Sequence, residues 1–157
     1  MKTLIVYASK YGSVADCASF LSSKLSGEVS VVDVNKITQQ IDVGSFDRVI
    51  IGGSIYAGSV SKKLSEFCKD NLDILLTKVV GIFICCAFGD KLDELLSINF
   101  SAALLDVAKS KKHFGGEAKI DEMSFMDKTI TKAVMKKGYS HLKILNENIE
   151  EFLIEMA

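Results

Sequence analysis

Hydrophobic positions along the chain fall into two alternating patterns. Largely apolar runs occur at 3–8 (TLIVYA), 28–34 (EVSVVDV), 48–53 (RVIIGG) and 79–86 (VVGIFICC). The runs at 3–8 and 79–86 predict strands covered on both faces, and those at 28–34 and 48–53 read as further strands. Helical spacing separates them. Val14, Cys17, Ala18, Leu21 and Leu25 share one face, and Gly27 follows as a C-terminal stop. Leu64, Phe67, Cys68, Leu72 and Leu75 predict a long helix over 60–76. Leu92, Leu95, Leu96, Leu104, Leu105 and Ala108 predict another over 91–112. A fifth strand is expected at 113–120 (HFGGEAKI), then helices near 123–137 and 146–156. The last has Asn146 as N-cap and Ile149, Phe152, Leu153 and Met156 inward. Residues 35–46 are polar and predict a loop or a short helix.

Strand and helix alternate five times with short connections. That order implies parallel strands, right-handed crossovers and helices on both faces of the sheet. Five strands are too few for the six-stranded dinucleotide fold and fit a doubly wound α/β sheet of order 2-1-3-4-5. The 157 residues, 1–157, read as a single domain without repeat or linker. In such a sheet, ligands bind beyond the carboxyl ends of the strands, near the switch between strands 1 and 3. The loops after strands 1, 3 and 4 are therefore where chemistry is expected.

Composition narrows that chemistry. Hydrophobic residues make up 48% and charged residues 25%, with a net charge of -1. Such a balance gives no global attraction to nucleic acid or to an anionic surface. Arg48 is the only arginine, so a bidentate arginine clamp on phosphate is not expected. No apolar run approaches the roughly 20 residues that span a bilayer. The N-terminus lacks a signal-peptide cleavage site and reads as mature sequence. Cys17, Cys68, Cys85 and Cys86 show neither CxxC spacing nor a metal pattern, and read as reduced thiols of a cytoplasmic protein.

The first loop, Ser9-Lys10-Tyr11-Gly12-Ser13-Val14, places two hydroxyls and a glycine where a helix begins. Free N–H groups and the helix dipole at that end bind a phosphate without any arginine. The sequence is neither a Walker loop nor GxGxxG, and the same residues also suit an ordinary strand-to-helix turn. The second loop, GGSIYAGSVS at 52–61, stands Ile55 and Tyr56 between glycines, where an aromatic ring stacks on a planar ligand or packs on its own loop. The third, CCAFGDKLDE at 85–94, offers Phe88, Gly89 and Asp90, with Asp90 also a helix cap. A phosphate cradle with two ring-bearing loops, no metal and no acid–base pair matches flavin mononucleotide.

These motifs carry a family resemblance. TLIVYASKYGSV is similar to the strand and phosphate loop of flavodoxins, and FDRVIIGGSIYAGSVSKKLSEF resembles their third strand and first flavin loop. FGD at 88–90 resembles their second flavin loop. ASKYGS, DRVIIGGSIYAG and the segment FGGEAKIDEMSFMDKTITKAVMKKG resemble the menaquinone-dependent protoporphyrinogen oxidases, flavodoxin-like enzymes of bacteria. The resemblance implies a non-covalently bound FMN. Ser9, Lys10, Tyr11, Gly12, Ser13 and Val14 would surround its phosphate. Ser54, Ile55, Tyr56, Ala57 and Gly58, with Cys86, Ala87, Phe88, Gly89 and Asp90, would flank its ring. Val14 departs from the family's usual threonine, removing one hydroxyl donor.

Three functions follow from this reading. The first is an electron carrier serving a redox partner protein. The second is an FMN-dependent oxidoreductase acting on a quinone or on protoporphyrinogen. For that reading the predicted helix 123–137 supplies a basic amphipathic surface able to meet a membrane or a porphyrin. The same helix also reads as one packed on the sheet edge with solvated lysines. The third is a flavin-free binding module on the same fold. No protein nucleophile or general base is expected, because a flavin carries its own chemistry.

Overall fold

A computed structural model describes residues 1–86, 89–116, 126, 128, 129, 132, 133 and 143–157. Five strands, β1 (Lys2–Ala8), β2 (Glu28–Asp33), β3 (Arg48–Ser54), β4 (Val79–Cys85) and β5 (Ala108–His113), form one sheet of order β2-β1-β3-β4-β5. All four pairings are parallel. The expected doubly wound order is therefore the observed one.

Among the described residues, helices α1 (Ser13–Lys24), α2 (Lys62–Asp70), α3 (Leu72–Leu75), α4 (Leu92–Asn99), α5 (Ala102–Val107) and α6 (Asn146–Met156) cover the sheet. Two apolar clusters follow from the strand alternation. Leu4, Val6, Val49, Ile51, Ile82 and Ile84 face α2 to α5, where Leu64, Phe67, Leu75, Leu95, Leu96 and Leu104 meet them. Ile5, Ile50, Phe83 and Cys85 face α1 and α6, where Val14, Cys17, Leu21, Ile149, Phe152 and Met156 pack. Both faces of β3 and β4 are thus covered, which is why their sequences run apolar without alternation.

The long helices expected at 60–76 and 91–112 are each interrupted, and residues 108–112 of the second, Ala108 included, belong to β5. Asn71 ends α2: its backbone N–H and its side-chain amide (2.8 Å) both donate to the Phe67 carbonyl. Phe100 is extended, and the Ser101 hydroxyl accepts from Leu104 N–H to begin α5. The fifth strand lies earlier than the predicted 113–120, of which residues 117–120 fall outside the described set. Its residues AKSKKH include no Val, Ile, Thr, Phe, Tyr or Trp, so intrinsic preference does not mark them as a strand. Pairing with β4 does, and lysines are common on exposed edges of this kind. A register shift between Val80 and Gly81 passes over Lys109. Residues 35–46 contain one short 3-10 turn, Val43–Ser45. Of the helix expected over 123–137, Met126, Lys128, Thr129, Lys132 and Ala133 are described and are helical; the rest lies outside the described residues.

Helix α6 returns to β4 and β5. Phe152 meets Phe114 edge-on at 5.3 Å between centroids, and Phe114 stacks on Phe83 at 4.6 Å. Replacing Phe152 by alanine is expected to cost about 3–5 kcal/mol, measured as a lower urea midpoint. At its solvent edge, Glu155 accepts from Ser110 Oγ at 2.6 Å and lies 3.0 Å from Lys112 Nζ. The Ser110 hydroxyl first, then the Lys112 ammonium, holds the Glu155 carboxyl below its usual range. A lowered carboxyl contributes stability above its unfolded pKa and loses it as pH falls through its folded value. Ser110→Ala is expected to raise the Glu155 pKa toward its ordinary value, read by NMR titration of that carboxyl.

Candidate functional site

The strand order brings the ends of β1, β3 and β4 together along one rim of the sheet. Beyond Ala8 the chain turns through Ser9 to Gly12, and α1 starts at Ser13. Gly12 has φ 99, a left-handed conformation that favours glycine, and no side chain caps the helix there. Ser9 Oγ accepts from Gly12 N–H at 3.0 Å, which folds the turn back on itself. The start of α1, with its partial positive charge, thus lies directly at this turn. Val14 is 1% exposed and packs in the apolar cluster with Ile5 and Phe83. A threonine hydroxyl at that position would sit among apolar side chains; what residue 14 presents to the loop is its N–H.

Lys10 supplies the local charge. Its ammonium lies 5.1 Å from the centre of the Tyr56 ring and 5.4 Å from that of Tyr11. The two rings meet edge-to-face at 5.6 Å. The first and second loops are thus in contact through aromatic and cation–π interactions.

The second loop is a tight reversal. Tyr56 and Ser59 exchange two backbone hydrogen bonds, each 3.0 Å, around Ala57 at φ 50 and Gly58 at φ 81. Positive φ at both central residues is the signature of a type I′ turn. Glycine at 58 meets that demand without strain, and Ala57 is the single non-glycine residue with positive φ among those described. The turn is tied down on either side. Ile55 N–H donates to the Cys85 carbonyl at 3.1 Å, and Val60 is buried. Asn99, at the end of α4, accepts from Val60 N–H and donates to the Gly58 carbonyl.

In the third loop, Ala87 and Phe88 lie outside the described residues. Cys86 is buried, with its N–H on the Gly115 carbonyl and its own carbonyl 2.6 Å from His113 Nε2. Gly89 and Asp90 open a 3-10 turn, Gly89–Lys91, that leads into α4. Lys91, not Asp90, is the residue preceding α4, and no side chain caps that helix.

A cavity of about 440 Å³ lies against the first and second loops, lined by Ala8, Ser9, Lys10, Asn35, Ser54, Tyr56, Ser59, Val60 and Ser61; Cys86, Gly89 and Asp90 of the third loop are not among these. It brings together expected residues of the first two loops. Asn35 was not anticipated; it follows β2 and reaches the cavity because β2 neighbours β1. His113 and Asn99 were also missed, since a lone polar residue at an element's end carries no pattern. Cys17, Cys68, Cys85 and Cys86 are buried and form no disulfide. Contact with Cys17 and burial push the Cys85 thiol well up, and burial pushes Cys68 up to about 12. Neither favours thiolate chemistry. Among the described residues, no group of three His, Cys, Asp or Glu side chains is placed to hold a metal.

A family model described as Flavodoxin domain matches residues 4–142. The chain belongs to this family. Protoporphyrinogen IX dehydrogenase [quinone] of Escherichia coli is 35% identical over 72 residues, which are 44% of this chain and 39% of that protein. The chain thus matches well under half the length of this relative. Oxidised flavodoxin 1 from Bacillus cereus superposes with a TM-score of 0.57 at 17% identity, over 99% of this chain and 97% of that one. Rubredoxin oxygen:oxidoreductase from Desulfovibrio gigas gives 0.52 at 14% identity, over 99% of this chain and 37% of that one. These structures share the fold. In this flavodoxin domain, Gly12→Ala is expected to destabilise by about 1–2 kcal/mol, because alanine pays for the left-handed conformation. Chemical denaturation checks it.

Proposed function

We propose that this chain binds FMN non-covalently at the rim between β1, β3 and β4 and transfers electrons through it. One observation carries the reading: a single cavity is lined by Ser9 and Lys10 of the loop that opens α1 and by Ser54 and Tyr56 of the ring-bearing loop. That arrangement suits a phosphate joined to a planar ring. Ser9, Lys10, Tyr11, Gly12, Ser13 and the Val14 N–H take the phosphate. Ser54 to Gly58 on one side and Cys86 to Asp90 on the other flank the ring. When bound, FMN supplies the chemistry of accepting and donating electrons. The chain's own part is to bind, orient and shield it. Its partner is a redox protein or a quinone.

The 72-residue match to a protoporphyrinogen IX dehydrogenase favours a second, narrower reading, in which the reduced chain delivers electrons to a quinone after oxidising protoporphyrinogen. Described apolar members of the predicted 123–137 surface agree with an exposed face: Met126 is 72% exposed and Ala133 is exposed.

Adding FMN to the protein is expected to quench flavin fluorescence at one FMN per chain, and Tyr56→Ala to weaken binding by about tenfold, the equivalent of an aromatic contact. The same substitution is expected to raise the reduction potential, since stacking on a tyrosine disfavours the electron-rich reduced ring. No quenching at micromolar FMN overturns both redox readings and leaves a flavin-free module. Protoporphyrinogen oxidation with a quinone acceptor separates the enzyme from the carrier.

A further inference from the structure

Asn99 is the last residue of α4, and its carboxamide makes three hydrogen bonds. Oδ1 accepts from Val60 N–H at 2.8 Å. Nδ2 donates to the Gly58 carbonyl at 2.9 Å and to the Leu95 carbonyl, one turn back on its own helix, at 2.8 Å. The bond to Leu95 holds the side chain in one orientation. The other two meet the backbone on either side of Ser59, one donor and one acceptor, as a neighbouring strand would. Ala57 and Ser59 at the tip are exposed. Apart from its own Tyr56–Ser59 bridge, the tip is held at two backbone positions, Gly58 and Val60, by this one amide. Helix α4 begins directly after Gly89–Lys91. Asn99 therefore ties the loop after β3 to the helix that grows from the loop after β4.

We propose that Asn99 is a positioning residue that sets where the Tyr56 turn stands over the cavity. By fixing Gly58 and Val60 it fixes the base of the reversal, and hence the approach of the Tyr56 ring to Tyr11 and Lys10. The inference rests on the reading that Tyr56 flanks a flavin, and gives that reading a structural cause. The chemistry of the position demands asparagine. Aspartate keeps the acceptor for Val60 but loses both donors and puts a negative charge against two carbonyls. Leucine has a similar volume and neither function.

The test compares the full chain with Asn99→Leu and Asn99→Asp. In Asn99→Leu the Val60 amide is expected to exchange about tenfold faster, the loss of one net hydrogen bond, while amides within β1 and β3 keep their protection. The Tyr11–Tyr56 ring-to-ring NOE is expected to weaken, and FMN affinity to fall about tenfold. Asn99→Asp is expected to keep Val60 protection and still lose affinity. Unchanged exchange and an unchanged NOE in Asn99→Leu overturn the proposal. So does faster exchange with wild-type FMN affinity, which makes the contact merely structural. A wild-type chain that binds no FMN overturns the flavin reading instead. The exchange and the NOE, both measured without flavin, then decide the positioning of Tyr56 alone.

Discussion

The parallel pairing of β1 with β3, from Thr3↔Arg48 to Ala8↔Gly53, is the constraint on which the rest depends. Strand β1 is also paired with β2 on its other edge. The chain leaving β1 therefore crosses to β2 through α1 on one face of the sheet. The chain leaving β3 crosses to β4 through α2 and α3 on the other face. Two connections departing in opposite directions open a crevice between them, and their loops line it. A different strand order with the same elements would scatter Ser9 and Tyr56.

The buried guanidinium and the candidate site lie at opposite ends of this sheet. At the end away from the crevice, the buried Arg48 donates to Thr3 Oγ1 at 3.0 Å and to the carbonyl of Met156. The chain's single guanidinium thus clamps β1, β3 and the last turn of α6, and is spent on architecture. A carbonyl at a helix C-terminus carries partial negative charge, which suits a cation there. At the crevice end, by contrast, polar groups belong to short turns with left-handed residues at Gly12, Ala57 and Gly58. Rigid strands carry the loops, and the loops carry the groups that a ligand would meet.

The connection between loops is made by polar side chains and backbone rather than by packing. Ile55 N–H on the Cys85 carbonyl, His113 on the Cys86 carbonyl and Asn99 on Gly58 and Val60 join neighbouring segments across the rim. Each such bond is modest by itself, about 1 kcal/mol net. Together they leave few ways for the turns to stand. A site meant to hold a ring between two loops gains from that, because ordering the loops in advance removes an entropic cost from binding.

The apolar runs at β1, β3 and β4 were legible because both faces of these strands are buried, and burial leaves its mark in composition. The glycine-and-hydroxyl turn at Ser9–Ser13 and the loop at Ser54–Gly58 were legible because unusual backbone conformations need particular residues. The lysine-rich β5 was not, since an edge strand is decided by its neighbour's hydrogen bonds and not by its own side chains. The breaks at Asn71 and Phe100 were hidden inside an unbroken apolar spacing. Asn35, His113 and Asn99 were invisible for a related reason: each acts across 26 or more residues of chain. Local pattern thus determined the buried strands and which turns are special. Only the folded sheet decided which distant polar groups meet at its rim, because hydrogen bonds between loops depend on strand order and leave no period in the chain.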